Sequence, residues 1–454
     1  MTALARIAQW ATAEHEFTER QRALAVDALI DTIACMAAGR QDPSTESVAA
    51  VCGETDVDRG ARAIDGRIRS AAATAFLNGT AAHALDFDDN FVVAATHASA
   101  VLVPALTAVG QMRATTGAQL VDAYLIGLQA QALIGEPIAI EHYTAGWHAT
   151  STIGTIGAAA ATAALLGLDI SGVVNAMSIA TSTAAGLKVQ FGTSMKPIHA
   201  GLAARNAVEA AQLAAAGVSG RPDVLEAERG FKDLYAASAT AAWPTDLLSA
   251  EADHAIEVPG LLPKIHPCCG STHQAIDAVV ELQRANGFDT AEVEGVVVKV
   301  LRANAGNLPY EVPRNEMEAR FSMQYCIDVA LDRGGLTLSD FTQTAVDERA
   351  SDPRLGRTTL TTWTPDEERA FLAQRRMPHE VVVTLRNGRR FRSQRETARG
   401  SIAEPFTVQE RRTKFTDCLG GADDIYDDLL LLDKASDLDA VDRAFLFAAG
   451  GDVR

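Results

Sequence analysis

No CxxC pair occurs in this sequence. Its six cysteines, Cys35, Cys52, Cys268, Cys269, Cys326 and Cys418, lie scattered apart from one vicinal pair. That pattern excludes a disulfide-stapled framework and gives a structural zinc too few thiolates, so a reducing cytoplasm is the expected home. Cations are also short: 40 Lys and Arg against 58 Asp and Glu leave a net charge of -18. Nucleic acid and anionic membrane both demand a basic surface, so neither is an expected partner. A small anionic substrate stays open, because a few local cations override a global deficit. No apolar run reaches the ~18 residues of a membrane span. The nearest, 153–168, is shorter, dominated by Ala and Gly, and reads as buried helix. Residues 1–16 hold no apolar stretch and carry Glu14 and Glu16, against a secretory signal. A Walker loop, a GxGxxG after a strand, HExxH and GxSxG are all absent, which removes the common nucleotide, metalloprotease and serine-hydrolase readings.

What is present is enough apolar sequence, 48% of 454 residues, for two domains. Within 18–38, Val26, Leu29, Ile30, Ile33 and Met36 recur at helical spacing and Gly39 offers a stop. Residues 40–69 are polar and read as loop with a short helix. From 70 to about 220 the chain is rich in Ala, Gly, Thr and Leu, and helices are predicted at 70–83, 99–112, 117–134, 151–166, 170–187 and 199–216. The character changes near Leu262. Residues 292–301 read as a strand, and 379–385 and 389–395 as a hairpin turning through Asn387-Gly388. Helices are predicted at 271–286 and 318–332. The expected fold class is mainly α: a large helical domain over 1–261, a smaller α+β lid domain over 262–399, and a C-terminal segment, 400–454, packing back on the helices.

Polar residues collect where the apolar segments meet. The densest run is 83–97, with His83, Asp86, Asp88, Asp89, Asn90 and His97 between Ala-rich flanks. Buried carboxylates are costly unless paired; the plain alternative is a solvated turn capped by Asp89 or Asn90. Three more runs follow: 142–152 with His142, Tyr143, Trp147 and His148; 191–201 with Lys196 and His199; and 264–273 with Lys264 and Cys269. Each residue has a plain reading too. His148 fits a helix cap, Lys196 a solvated cation, His199 a satisfied core histidine, Cys269 an inert small hydrophobe and Trp147 packing. Pooled, the four runs hold the groups needed to move a proton beside a carboxylate, with cations for the anion.

The runs Asn78-Gly-Thr-Ala-Ala-His-Ala-Leu-Asp-Phe-Asp-Asp89, Gly146-Trp-His-Ala-Thr150, Lys196-Pro-Ile-His-Ala-Gly-Leu-Ala-Ala-Arg-Asn206 and 264–273 stand in the order of the MmgE/PrpD family. The chain resembles that family over nearly its whole length. Members include 2-methylcitrate dehydratase, cis-aconitate decarboxylase and iminodisuccinate epimerase. The resemblance implies a helical domain built from both chain ends, a smaller α+β lid, a homodimer, and a small di- or tricarboxylate substrate handled without cofactor or metal. It places family pocket residues at Asp86, His97, His148, Lys196 and Lys264. Asn90 stands where decarboxylases often carry Thr, and the loop on to His97 is one residue longer. Cys269 stands where decarboxylases and dehydratases carry His. The motif combination is most similar to the iminodisuccinate epimerase branch.

On this reading Lys196 and Lys264, helped by His97, clamp substrate carboxylates. His148 is the base, Asp86 orients a histidine, and Tyr143 or Cys269 carries the second proton. Asn90, His142, Trp147 and His199 line the substrate site, while Asp88 and Asp89 only cap or hydrogen-bond locally. Loss of a hydroxyl gives a hydro-lyase of the 2-methylcitrate dehydratase kind; reprotonation from the other face gives an epimerase of an N-substituted aspartate. A metal enzyme built on Asp86, Asp88 and Asp89 and a silent scaffold are the readings from other classes.

Overall fold

The computed structural model describes residues 1–55, 60–249, 252–374 and 376–451. It is mainly α, with small sheets. Two compact units are present: Met1–Gln190 with Ser194–Pro263 and Thr407–Arg454, and Phe191–Thr193 with Lys264–Phe406. Among the described residues no helix is long and apolar enough to cross a membrane.

The first unit is a helical assembly around one large apolar core. Helix α1 (Glu19–Gly39) starts in a capping box between Thr18 and Gln21. Then come α2 (Ala71–His83), α3 (Ser99–Arg113), α4 (Gly117–Gly135), α5 (Ala149–Leu165), α6 (Ile170–Thr181) and α7 (Met195–Ala215). Helices α2 to α5 are buried nearly all round, which explains why their sequences carry so weak an apolar stripe. Helix α7 packs against α2 and α5, and the C-terminal helix Val408–Leu419 packs on α1. Glycine sets the closest of these approaches. A Cβ added to Gly79 on α2 would stand 2.9 Å from the Cα of Gly201 on α7, and one added to Gly201 would stand 2.2 Å from Thr80 Oγ1. The two backbones therefore touch, and no side chain fits at either position.

Three predicted boundaries moved by more than two residues. Helix 318–332 begins at Met323, with Ser322 as its cap. Helix 170–187 stops at Thr181, because the chain must reach Gly186, whose φ of 146° is open to glycine alone. Helix 199–216 begins at Met195, so Lys196 and Pro197 lie inside its first turn, where proline costs no hydrogen bond.

The second unit has its own core. Its elements are α8 (Gly270–Asn286), β1 (Val293–Val300), α9 (Met323–Arg333), β2 (Thr358–Thr362), β3 (His379–Leu385) and β4 (Arg390–Arg395). The sheet order is β2-β1-β3-β4, with β1 parallel to β2 and antiparallel to β3. The predicted hairpin is present: β3 and β4 pair from His379↔Arg395 to Thr384↔Arg390, and Gly388 turns at a φ of 84°. Strand β3 buries every second residue, and α8 and α9 pack on this sheet.

Candidate active site

Helix α2 ends at His83, and the chain then turns through Asp86, whose φ of 51° is left-handed. Asp is one of the few residues that accept this conformation at small cost. The turn gathers groups from one short run. His83 Nδ1 lies 2.9 Å from Asp88 Oδ2, and His97 Nδ1 lies 3.1 Å from the same oxygen. His97 Nε2 stands 4.0 Å from Asp86 Oδ1. From the first turn of α7, Lys196 Nζ donates to Asp86 Oδ1 at 2.6 Å and to His83 Nε2 at 2.9 Å. His83, Asp86, Asp88 and Lys196 are buried, and the His97 side chain keeps 14% of its exposure.

These partners fix the protonation states. A lysine N–H donates to His83 Nε2, so that nitrogen is an acceptor and the ring proton sits on Nδ1, directed at Asp88. Burial pulls His83 down to about 3; Asp88 opposes this, and Lys196 and His97 add to it. Burial pushes Asp88 up, but His83 and His97 together outweigh it and hold the carboxyl well below its usual range. Asp88 is thus an ionised carboxylate beside a neutral imidazole. Asp88, expected to cap or hydrogen-bond locally, faces both His83 and His97, and Asp86, expected to orient a histidine, pairs with Lys196 and lies 4.0 Å from His97. His83, named in the run 83–97 but given no role there, is signalled by the five-residue step to Asp88 across the turn.

The base candidate comes from α5. His148 is its N-cap residue, and the His148 backbone N–H donates to Gly186 O at 2.9 Å. His148 Nδ1 is 3.2 Å from Nδ1 of His199, which lies three residues after Lys196 on α7. The His148 and His83 rings stack with centroids 5.8 Å apart. Burial, then His83, Lys196, His199 and His97, hold His148 well below its ordinary value. Burial and then Lys196 bring His199 to about 4. His148 is therefore neutral and proton-free on one nitrogen, the state a base needs. Its basicity rises when an anion enters and offsets the neighbouring ammonium.

The other predicted residues have surroundings of their own. His142 has both nitrogens engaged, by Tyr235 O at 3.1 Å and Thr152 Oγ1 at 2.7 Å, and so has no nitrogen left for a substrate. Trp147 stacks on Tyr235 with centroids 4.3 Å apart. Tyr143 is half-buried beneath the Lys188 ammonium, 3.4 Å from its ring centre. Asn90 makes a two-way backbone bridge with Leu262. In the second unit Lys264 is buried, and Cys269 is the N-cap residue of α8, its N–H donating to Arg320 O at 2.9 Å. Beside it, burial pushes Cys268 up, but Cys326, His273 and His266 outweigh this and hold the thiol low.

Asp89 points away from the group, to Ser99 Oγ, which meets Tyr124 OH at 2.7 Å. A three-aspartate metal site therefore lacks its third carboxylate. Burial raises Asp89 to about 7, Ser99 opposes the rise, and Asp88 and Asp31 reinforce it. The folded state thus keeps a proton that the unfolded chain loses near 3.8, so this group's contribution to stability falls as pH rises from 3.8 to about 7. Asp89→Asn is expected to stabilise the protein, by about 1 to 2 kcal/mol more at about pH 8.5 than at about pH 6. Urea unfolding at the two pH values checks this, and an equal shift at both would contradict the assignment.

Among the described residues, one grouping has metal-ligand spacing: His83, Asp86, Asp88 and His97. Lys196 already supplies a positive charge there. Residues 3–244 match the family model of the MmgE/PrpD N-terminal domain, and residues 266–428 that of the MmgE/PrpD C-terminal domain. Similar proteins include the cis-aconitate decarboxylase of Homo sapiens, 29% identical over 351 residues, which are 75% of this chain and 71% of the relative. That of Mus musculus is 30% identical over 354 residues, 75% and 70% of the two chains. That of Aspergillus terreus (strain NIH 2624 / FGSC A1156) is 26% identical over 334 residues, 69% and 68%.

Proposed function

Since the chain belongs to the MmgE/PrpD family, we propose that it is a cofactor-independent lyase that moves a proton at the carbon beside a carboxylate of a small di- or tricarboxylate. An enzyme of lyase type acting on a small carboxylate is common ground with its relatives. One observation carries the finer reading: a neutral, buried His148 shares its surroundings with the Lys196 ammonium and with His97. Taking a proton from such a carbon puts a second negative charge on a small fragment. A buried cation is worth most where that charge forms, and the imidazole accepts the proton. His199 holds one His148 nitrogen, and Asp88 fixes His83, which in turn braces Lys196. In dehydration of a hydroxy-polycarboxylate His148 takes the proton, Lys196 holds the dianion that forms, and the hydroxyl leaves as water on the proton that the His148 imidazolium gives back. Decarboxylation is the second reading, favoured by the relatives' names; there His148, protonated from solvent, delivers that proton to the carbanion left when CO₂ departs.

The test is hydrogen exchange in D₂O, followed by NMR over methylcitrate, citrate, cis-aconitate and N-substituted aspartates. Exchange beside a carboxylate is expected for at least one of them. His148→Ala is expected to lose roughly 10²- to 10⁴-fold in rate, the worth of a general acid/base. Exchange at the unaltered rate in that variant would remove His148 from the mechanism, and wild-type exchange with none of the panel would remove the substrate class.

A further inference from the structure

Two side chains that hold the Lys196 ammonium, His83 and Asp86, belong with Asp88 and His97 to a set of metal donors. His83, Asp86, Asp88 and His97 each present one ligand atom, and the four atoms lie within 4.8 Å of one another. Around tetrahedral Zn²⁺, with bonds of about 2.0–2.2 Å, neighbouring donors stand roughly 3.3–3.5 Å apart. The contacts to Asp88 Oδ2 fall just inside that spacing: 2.9 Å from His83 Nδ1 and 3.1 Å from His97 Nδ1. Two imidazole nitrogens with two carboxylate oxygens suit Zn²⁺ and its borderline neighbours. Mg²⁺ and Ca²⁺ ask for all-oxygen shells with more ligands. Independently of the spacing, a cation already sits against two of these residues: Lys196 Nζ contacts Asp86 Oδ1 and His83 Nε2, the nitrogen across the ring from the one that faces Asp88.

We propose that this cage is also a divalent transition-metal site of the Zn²⁺ type, which the metal and the Lys196 ammonium occupy in competition. Charge balance permits the exchange. Two carboxylates against one ammonium leave one negative charge, and two carboxylates against one divalent ion leave none. As the ion enters, Lys196 swings out as an ammonium. The partly exposed His97 is the ligand nearest to water. That the metal-loaded protein turns over slowly rests on the function proposed above, since it has lost the cation at the carboxylate; the binding itself does not.

Co²⁺ takes the same geometry as Zn²⁺ and reports it by a visible ligand-field band. Metal-free full-length protein is titrated with Co²⁺ and the ion is then displaced with Zn²⁺, with no substrate present. One equivalent is expected to bind with tetrahedral band intensity and a dissociation constant in the micromolar range or tighter. His97→Ala and Asp88→Asn are each expected to weaken binding by about 100-fold or more; far-UV circular dichroism identifies the folded variant on which to judge. Lys196→Met removes the competitor and is expected to tighten binding by about tenfold or more. No saturable band, or one that keeps its affinity in a folded ligand variant, overturns the site. Unchanged affinity in Lys196→Met overturns the competition. Because the band needs no turnover, its failure leaves the proton-transfer reading standing, and failed exchange in D₂O leaves the band standing.

Discussion

Lys196→Met is expected to abolish measurable turnover and to destabilise the protein by about 3 to 5 kcal/mol, the cost of stripping one partner from a buried ion pair. Methionine fills nearly the volume of the lysine stem, so the loss isolates the ammonium. Asp86 is left buried with a charge that Lys196 met at 2.6 Å, and His83 Nε2 loses its donor. A removed electrostatic donor typically costs roughly 10²- to 10³-fold in rate. The cost is greater here, because the same ammonium positions Asp86 and His83. The double variant Lys196→Met with Asp86→Asn separates the two effects. Stability returns, since a neutral amide replaces the orphaned carboxylate, while exchange in D₂O stays absent. Urea unfolding and deuterium wash-in are the two measurements. Recovery of both together would reduce Lys196 to a structural ion pair.

Acid is expected to unfold the protein well above the usual carboxylate range. Burial pulls His83 and His379 to about 3, and His142, His199, His254 and His266 to about 4. For each, the unfolded chain binds a proton near 6.5 and the folded chain does not. Stability from these groups is complete above about pH 6.5 and drains away as pH falls toward 4. Each group costs about 1.4 kcal/mol per pH unit in that window. Six acting together exhaust a typical net stability of 5–15 kcal/mol within roughly two units. Asp89 works in the opposite direction, as do Asp27, Asp31, Asp122 and Asp277, whose carboxyls burial also raises, while His148 and His15, both lowered by burial, add to the loss. Circular dichroism from about pH 7.5 downward should show a cooperative loss of helix between about pH 6 and 4.5. A native spectrum held at about pH 4.5 would mean that the histidines are not buried in neutral form.

How far the sequence carried can be seen in particular residues. Asp86, His97, His148 and Lys196 were legible because each lies where an apolar segment breaks, and a charge beside a core needs a partner. The hairpin through Asn387-Gly388 was legible because its turn chemistry is local. His83 and Asp88 were not, because their pairing depends on the left-handed turn at Asp86. The partner of His142, Tyr235, was not legible either, because it lies 93 residues downstream. The early stop of α6 escaped for the same reason: Gly186 serves the backbone N–H of His148, a demand no local periodicity records.

The touching backbones of Gly79 and Gly201 bear on how this protein tolerates change. His83 follows one glycine by four residues, and Lys196 precedes the other by five, so the contact is the joint across which the ammonium finds its carboxylate. A methyl group wedged there would splay the two helices by ångströms at the very end where a hydrogen bond of 2.6 Å must close. In a saturation library, positions 79 and 201 would therefore score with the active-site residues, although neither has a side chain to offer. A search for catalytic positions by mutational intolerance would find two that do no chemistry.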